Sequence, residues 1–208
     1  MNNHFIFDFE TIGQDVFKIP VVNCAYYVFD WDRFTSDKPY TFNELVSNIQ
    51  FAKLDIKSQL AAGCKYNKRD IDWWMSLPPK VQNQLKPSPE DVSVEEFCTI
   101  IYNYLKSQPK LFRWWSRANT FDPVIMARLF NESIGRDKMD EVMKFWLVRD
   151  TRTYIDTQFD FNPNVKNGFC PIDDEALWAQ HFEEHNCIHD LAADIMRLQK
   201  IERTIKCD

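Results

Sequence analysis

His4-Phe5-Ile6-Phe7-Asp8-Phe9-Glu10-Thr11 reads as a strand in which two acids replace the expected apolar or neutral residues at alternate positions. In extended backbone, residues i and i+2 project from the same face, so Asp8 and Glu10 point together while their apolar neighbours fill the other face. Two carboxylates held side by side repel, and each raises the proton affinity of the other unless positive charge sits between them. A hard divalent cation such as Mg²⁺ takes oxygen ligands and accepts a few carboxylates, with water or phosphate at its remaining positions. An edge strand with solvated acids would carry the same residues, so the pair gains meaning only from the rest of the chain.

Outward from this segment, Val21-Val22-Asn23-Cys24-Ala25-Tyr26-Tyr27-Val28-Phe29 predicts a second strand, and the Gly13-containing turn between the two predicts a hairpin. Residues 40–51 place Phe42, Leu45, Val46 and Ile49 in a pattern that suits an extended piece or a short helix. From 55 to 86 the sequence reads as helical, with Asn67 as an N-cap, Ile71 and Trp74 on one face, and a break at Pro78-Pro79. Ser93-Val94-Glu95-Glu96 is a capping box that opens an amphipathic helix through about Gln108. A short strand over 110–115, a helix over 122–133 ending near Gly135, a last strand over 144–149 and a helix over 150–158 follow. A turn-rich loop over 159–173 with Asn167-Gly168 then leads to a long terminal helix over 186–206. This order predicts an α/β layer fold with a mixed sheet.

The 208 residues, 45% hydrophobic and 15% aromatic, give room for one sizeable core, and a single domain over 1–208 is expected. There is no fixed-period repeat, no apolar run long enough to span a membrane and no charged leader ahead of an apolar stretch, which predicts a cytoplasmic protein with no membrane partner. The six cysteines form no Cys-x-x-Cys pair or zinc spacing and read as reduced, mostly buried thiols. A net charge of −6 argues against general electrostatic grip on phosphates. Two bound divalent cations would bring it to about −2, concentrated at the acids. Lys65, Lys68 and Arg69, then Arg113 and Arg117, then Lys144, Arg149 and Arg152 are local basic clusters that could track a backbone.

Two more places carry candidate chemistry. In Trp115-Ser116-Arg117-Ala118-Asn119-Thr120-Phe121-Asp122 a strand ends in a loop and an acid begins a helix, a position the helix dipole favours for any acid. In His185-Asn186-Cys187-Ile188-His189-Asp190-Leu191-Ala192-Ala193-Asp194 an acid follows a histidine by five residues twice, and spacing alone does not choose between His185 with Asp190 and His189 with Asp194. Histidine suits proton transfer because its pKa of about 6.5 lies near working pH.

Taken in order, the strand Asp-x-Glu, the mid-chain Asp at a strand-to-helix junction and the His-x₄-Asp opening the last helix resemble the DEDD 3′–5′ exonuclease superfamily in its histidine-containing branch. Ile6-Phe7-Asp8-Phe9-Glu10-Thr11 is similar to the family's first motif, and His185-Asn186-Cys187-Ile188-His189-Asp190 resembles its His-x-Ala-Leu-x-Asp, with Cys187 and Ile188 as the departures. The resemblance selects His185 and Asp190. Asp72-Trp73-Trp74, Ser88-Pro89-Glu90-Asp91-Val92-Ser93, Lys144-Phe145-Trp146 and Arg149-Asp150-Thr151-Arg152-Thr153 extend the likeness to the RNase T-like branch, nearest the exonuclease A group of T-even bacteriophages.

The resemblance implies an RNase H-like fold, a mixed five-stranded sheet flanked by helices with the acids at one end. It also implies metal-dependent 3′–5′ hydrolysis of single-stranded nucleic acid with a free 3′ end to 5′-mononucleotides, with DNA favoured over RNA. Asp8, Glu10, Asp122 and Asp190 would hold two Mg²⁺ or Mn²⁺ ions, and His185 would serve as general base. The 3′-OH would be read near Glu10 and the backbone of Phe9 and Thr11, with Phe9 and Phe121 stacking on bases. Trp73 and Trp74 point in different directions, so one, assigned to Trp74, lines the approach and the other packs inside. A homodimer is compatible with the branch. Biological roles from phage DNA turnover and RNA trimming to proofreading and antiviral defence stay open, and so do the alternatives of an exoribonuclease, an idle nucleic-acid-binding module or a small-phosphoester hydrolase.

Overall fold

The computed structural model describes residues 2–159 and 182–205. Strand β1 (Asn3–Thr11) pairs antiparallel with β2 (Val21–Asp30), which pairs antiparallel with β3 (Gln50–Lys53). On its other side β1 pairs parallel with β4 (Arg113–Ser116), and β4 parallel with β5 (Val148–Asp150). The sheet order is therefore β3-β2-β1-β4-β5, a mixed sheet with the acid-bearing strand at its centre. The predicted hairpin is present, and Gly13 in its turn adopts φ 121, which favours glycine. A Cβ there would stand 2.8 Å from Oδ2 of Asp70, so the turn also depends on close approach.

Alternation along β1 assigns its two faces. Phe5, Phe7 and Phe9 join a core with Phe97 and Ile101 of α5 (Val94–Ser107) and Ile125, Met126 and Leu129 of α6 (Asp122–Glu132). Ile6 faces the opposite layer, where Trp115 meets Leu191, Ala192, Ile195 and Leu198 of α9 (Cys187–Ile205). Asp8 and Glu10 share the Ile6 face, so α9 covers the same side of the sheet as the acids.

Local chemistry sets the helix starts. Thr41 caps α1 (Phe42–Asn48), Asp55 caps α2 (Ile56–Ala61), and Asn67 forms a capping box with Asp70 at α3 (Lys68–Ser76). Pro79 opens the single turn of α4 (Pro79–Gln82), which runs into a 3₁₀ turn over Asn83–Leu85. Ser93 and Glu96 form the expected box at α5, and Asp150 caps α8 (Thr151–Gln158).

Several expectations shift. Residues 40–51 resolve into both options, α1 followed by the start of β3. The strand expected over 110–115 begins at Arg113, and the one over 144–149 is a 3₁₀ turn, Phe145–Leu147, followed by β5. Phe112, Phe145 and Trp146 are 54%, 67% and 60% exposed, so those aromatics extend outside the ladder. Helix α7 (Arg136–Val142), unannounced by the sequence, buries Met139. Cys24, Cys98 and Cys187 are buried free thiols and Cys64 is half-buried; Cys170, Cys207 and the Asn167-Gly168 turn lie outside the described residues. Among the described residues no helix is long and apolar enough to cross a membrane.

Candidate active site

The carboxyl end of β1, the start of α6 and the start of α9 meet at one end of the sheet. One carboxylate oxygen each from Asp8, Glu10 and Asp190 lies within 4.8 Å of the others. Asp122, only 4% exposed at the first turn of α6, joins them through its Oδ1, which accepts the Phe9 N–H at 3.1 Å. Its carboxylate therefore ties α6 to the strand bearing the other acids, which a mere helix-start acid would not do.

Burial and repulsion from neighbouring carboxylates act together on these groups. The Asp8 carboxyl is pushed well above the usual range, first by burial and then by Asp122, Glu10 and Asp190. Glu10 is raised likewise by burial and then by Asp190 and Asp122. Asp122 is raised to about 7 by burial, against the lowering effect of the Phe9 N–H. Asp190 also rises to about 7, through burial and then Asp194, with Arg197 and Arg117 pulling the other way. Positive charge placed among four such acids would lower the proton affinity of each.

The second histidine–acid pair is committed elsewhere. Asp194, 4% exposed, forms ion pairs with Arg117 and with Arg197, the latter at 2.8 Å, and accepts the Thr151 hydroxyl at 3.1 Å. His189 accepts the Glu183 N–H on Nδ1 at 3.0 Å, and its ring packs against Phe42 and Phe182. His185 instead sits on the loop before α9 at φ 62, with Trp73 edge-on to its ring at 5.2 Å.

Beside the acids opens a cavity of about 1200 Å³. Asp8, Glu10 and Asp122 line it, together with Phe121, Thr11 and Trp73. Lys65, Arg69, Arg117 and Arg152, drawn from all three basic clusters, line it together with Lys18, so the acids share their cavity with basic residues despite the net negative charge. Lys68 is paired with Asp72.

Two aromatic assignments are corrected. Phe9 is 5% exposed and packs on Phe7 and Phe97, because a residue between Asp8 and Glu10 must face the other way. Trp74 is fully buried and donates Nε1–H to the Thr11 carbonyl at 3.0 Å, while Trp73 is 43% exposed at the cavity. The Phe9 N–H is likewise taken by Asp122 and is not offered to a substrate. Lys18 and Tyr66 are cavity residues with no sequence signal; of the tryptophan pair the wrong member was assigned to the approach, although Trp73 lies off the Ile71–Trp74 face of α3.

The comparisons with known proteins give this mixed sheet, with acids converging at the end of its central strand, its class: a DEDD-type 3′–5′ exonuclease. Comparison with known proteins gives the particular member: a family described as the 3′–5′ exoribonuclease Rv2179c-like domain matches residues 3–196, and the chain belongs to that family. It is 30% identical over 207 residues to an exodeoxyribonuclease of Enterobacteria phage T4, covering 94% of this chain and 87% of that protein. Among solved structures, a moderately thermophilic exonuclease I from Methylocaldum szegediense superposes with TM-score 0.58 at 15% identity, over 99% of this chain and 42% of that one. E. coli exonuclease I with a dT13 oligonucleotide gives TM-score 0.58 at 15% identity over 99% and 41%. The zinc-bound E. coli exonuclease I–ssDNA complex gives 0.55 at 13% over 100% and 41%. At such identities the likeness is one of fold, and the chain spans about two fifths of the exonuclease I chains. The RNase H-like architecture follows.

Proposed function

We propose that this exonuclease is a cytoplasmic, metal-dependent enzyme that removes nucleotides from the 3′ end of single-stranded DNA, releasing 5′-mononucleotides. The observation that carries the reading is the convergence of Asp8, Glu10 and Asp190 oxygens within 4.8 Å, with all four acids raised first by burial and further by neighbouring carboxylates. An all-oxygen donor set of this charge fits Mg²⁺ or Mn²⁺. Asp8, Glu10, Asp122 and Asp190 would hold the ions. Two such cations would supply charge neutralisation at the scissile phosphate and activation of the attacking water.

The chain's own residues do the rest. His185 accepts the proton of the attacking water on its imidazole, a role for which its place outside the packed His189–Phe42 cluster suits it. Trp73 and Phe121 offer aromatic surface to the terminal bases, and Lys18, Lys65 and Arg69 face the upstream phosphates across the cavity. Stacking of unpaired bases favours single strands. The phage T4 relative, an exodeoxyribonuclease, supports DNA, and the family's exoribonuclease description makes RNA the alternative. The test is a comparison of 5′-labelled DNA and RNA of one sequence in Mg²⁺ and in EDTA. Faster shortening of DNA from its 3′ end, abolished by EDTA, is expected; faster RNA shortening reverses the substrate assignment, and activity in EDTA removes the metal.

A further inference from the structure

The histidine loop is held from outside its own helix. Gln84, in the 3₁₀ turn after α4, donates Nε2–H to the carbonyl oxygen of His185 at 3.1 Å. Its Oε1 accepts from Nδ2 of Asn23 at 2.7 Å. Asn23 is fully buried on β2 and stands directly opposite Glu10 in the antiparallel register.

The orientation of both amides is forced by chemistry. A backbone carbonyl only accepts, so Gln84 must turn its amino group to His185, which leaves its oxygen for Asn23 and obliges Asn23 to turn its own amino group to Gln84. The Asn23 Oδ1 is consequently buried without a protein partner, a cost that this arrangement tolerates. His185 needs such support, because φ 62 is a conformation that residues with a side chain rarely adopt. Lys80 paired with Glu183, and Glu183 bonded in turn to Asn186 at 3.1 Å, anchor the same loop to α4.

We propose that Gln84 is a positioning residue for His185: it fixes the backbone from which the imidazole is presented and, through Asn23, ties that backbone to the strand facing Glu10. The inference rests on His185 being the general base. Gln84→Glu is the informative variant, since it keeps the volume and the acceptor for Asn23 but sets an acceptor against the His185 carbonyl. The expected result is a fall in kcat of up to about 10²-fold with KM within about twofold of wild type. Faster amide exchange at residues 185–187 of the metal-free protein should accompany it. In the double variant with His185→Ala, Gln84→Glu should add no further loss, because a group that acts only through the imidazole has nothing left to position.

Unchanged kcat in Gln84→Glu, or a full multiplicative loss on top of His185→Ala, would overturn the inference. Near wild-type activity in His185→Ala alone would instead overturn the base assignment, which separates the two failures. Gln84→Met, uncharged and similar in size, serves as the second variant if Gln84→Glu does not fold, with the same expectations.

Discussion

Asp122→Asn should make the metal-free protein more stable above neutral pH. The carboxyl is only 4% exposed, and its pKa is pushed from 3.8 to about 7, mainly by burial. In the unfolded chain it ionises near its ordinary value, so the native state binds its proton more tightly. The resulting penalty is absent below about pH 4, accumulates as pH rises toward 7 and is constant above that. Roughly three pKa units at about 1.36 kcal/mol each set a ceiling of about 4 kcal/mol. Asparagine removes the charge but keeps an oxygen for the Phe9 N–H, so the contact at 3.1 Å survives. For a chain of this size, about 2–4 °C per kcal/mol translates the ceiling into a gain of about 10 °C in Tm. The assay is thermal unfolding of both proteins in EDTA from pH 4.5 to 8.5. The gap should already be opening at pH 4.5, widen until about pH 7 and hold beyond it. A variant no more stable than wild type at pH 8, or a gap that does not depend on pH, would refute the electrostatic account of the site.

Three further outcomes are expected. Trp73→Ala should raise KM by about 5- to 150-fold, the equivalent of about 1–3 kcal/mol of lost stacking, with little change in Tm. Trp74→Ala should instead cost about 3–5 kcal/mol of stability, since that ring is fully buried, and steady-state kinetics beside melts separate the two. His185→Ala should lose about 10²–10⁴ in kcat while still binding Mn²⁺, and His189→Ala should chiefly lower Tm by stripping the Glu183 N–H of its acceptor. Asp194→Asn should destabilise by about 3–5 kcal/mol in chemical denaturation, because Arg117 and Arg197 lose a shared buried counter-charge.

Alternation made β1 legible: one face apolar, the other carrying two acids, in a strand long enough for the period to show. Capping residues marked α3 and α5, since Asn67 and Ser93 satisfy backbone donors locally. Helix α7 escaped because its charged run buries only Met139 and has no periodic face. The aromatics divided along the same physical line. The alternation that aims Asp8 and Glu10 at the site also sends Phe9 to the core, so its stacking role contradicted the very pattern that located the acids. Trp73 and Trp74 are chemically identical, and only the packing of α3 on the Thr11 carbonyl decides which is inside. The Gln84 contact joins residues 101 positions apart and has no local signature at all.

Whether the acid cluster binds divalent cations is tested most directly by titration calorimetry with Mn²⁺ at pH 8, on wild type and on Asp8→Asn. Wild type should bind Mn²⁺ and gain Tm on binding, while Asp8→Asn, folded and more stable without metal, should lose most of that affinity. Equal Mn²⁺ binding in both proteins, or none in wild type, would contradict the account.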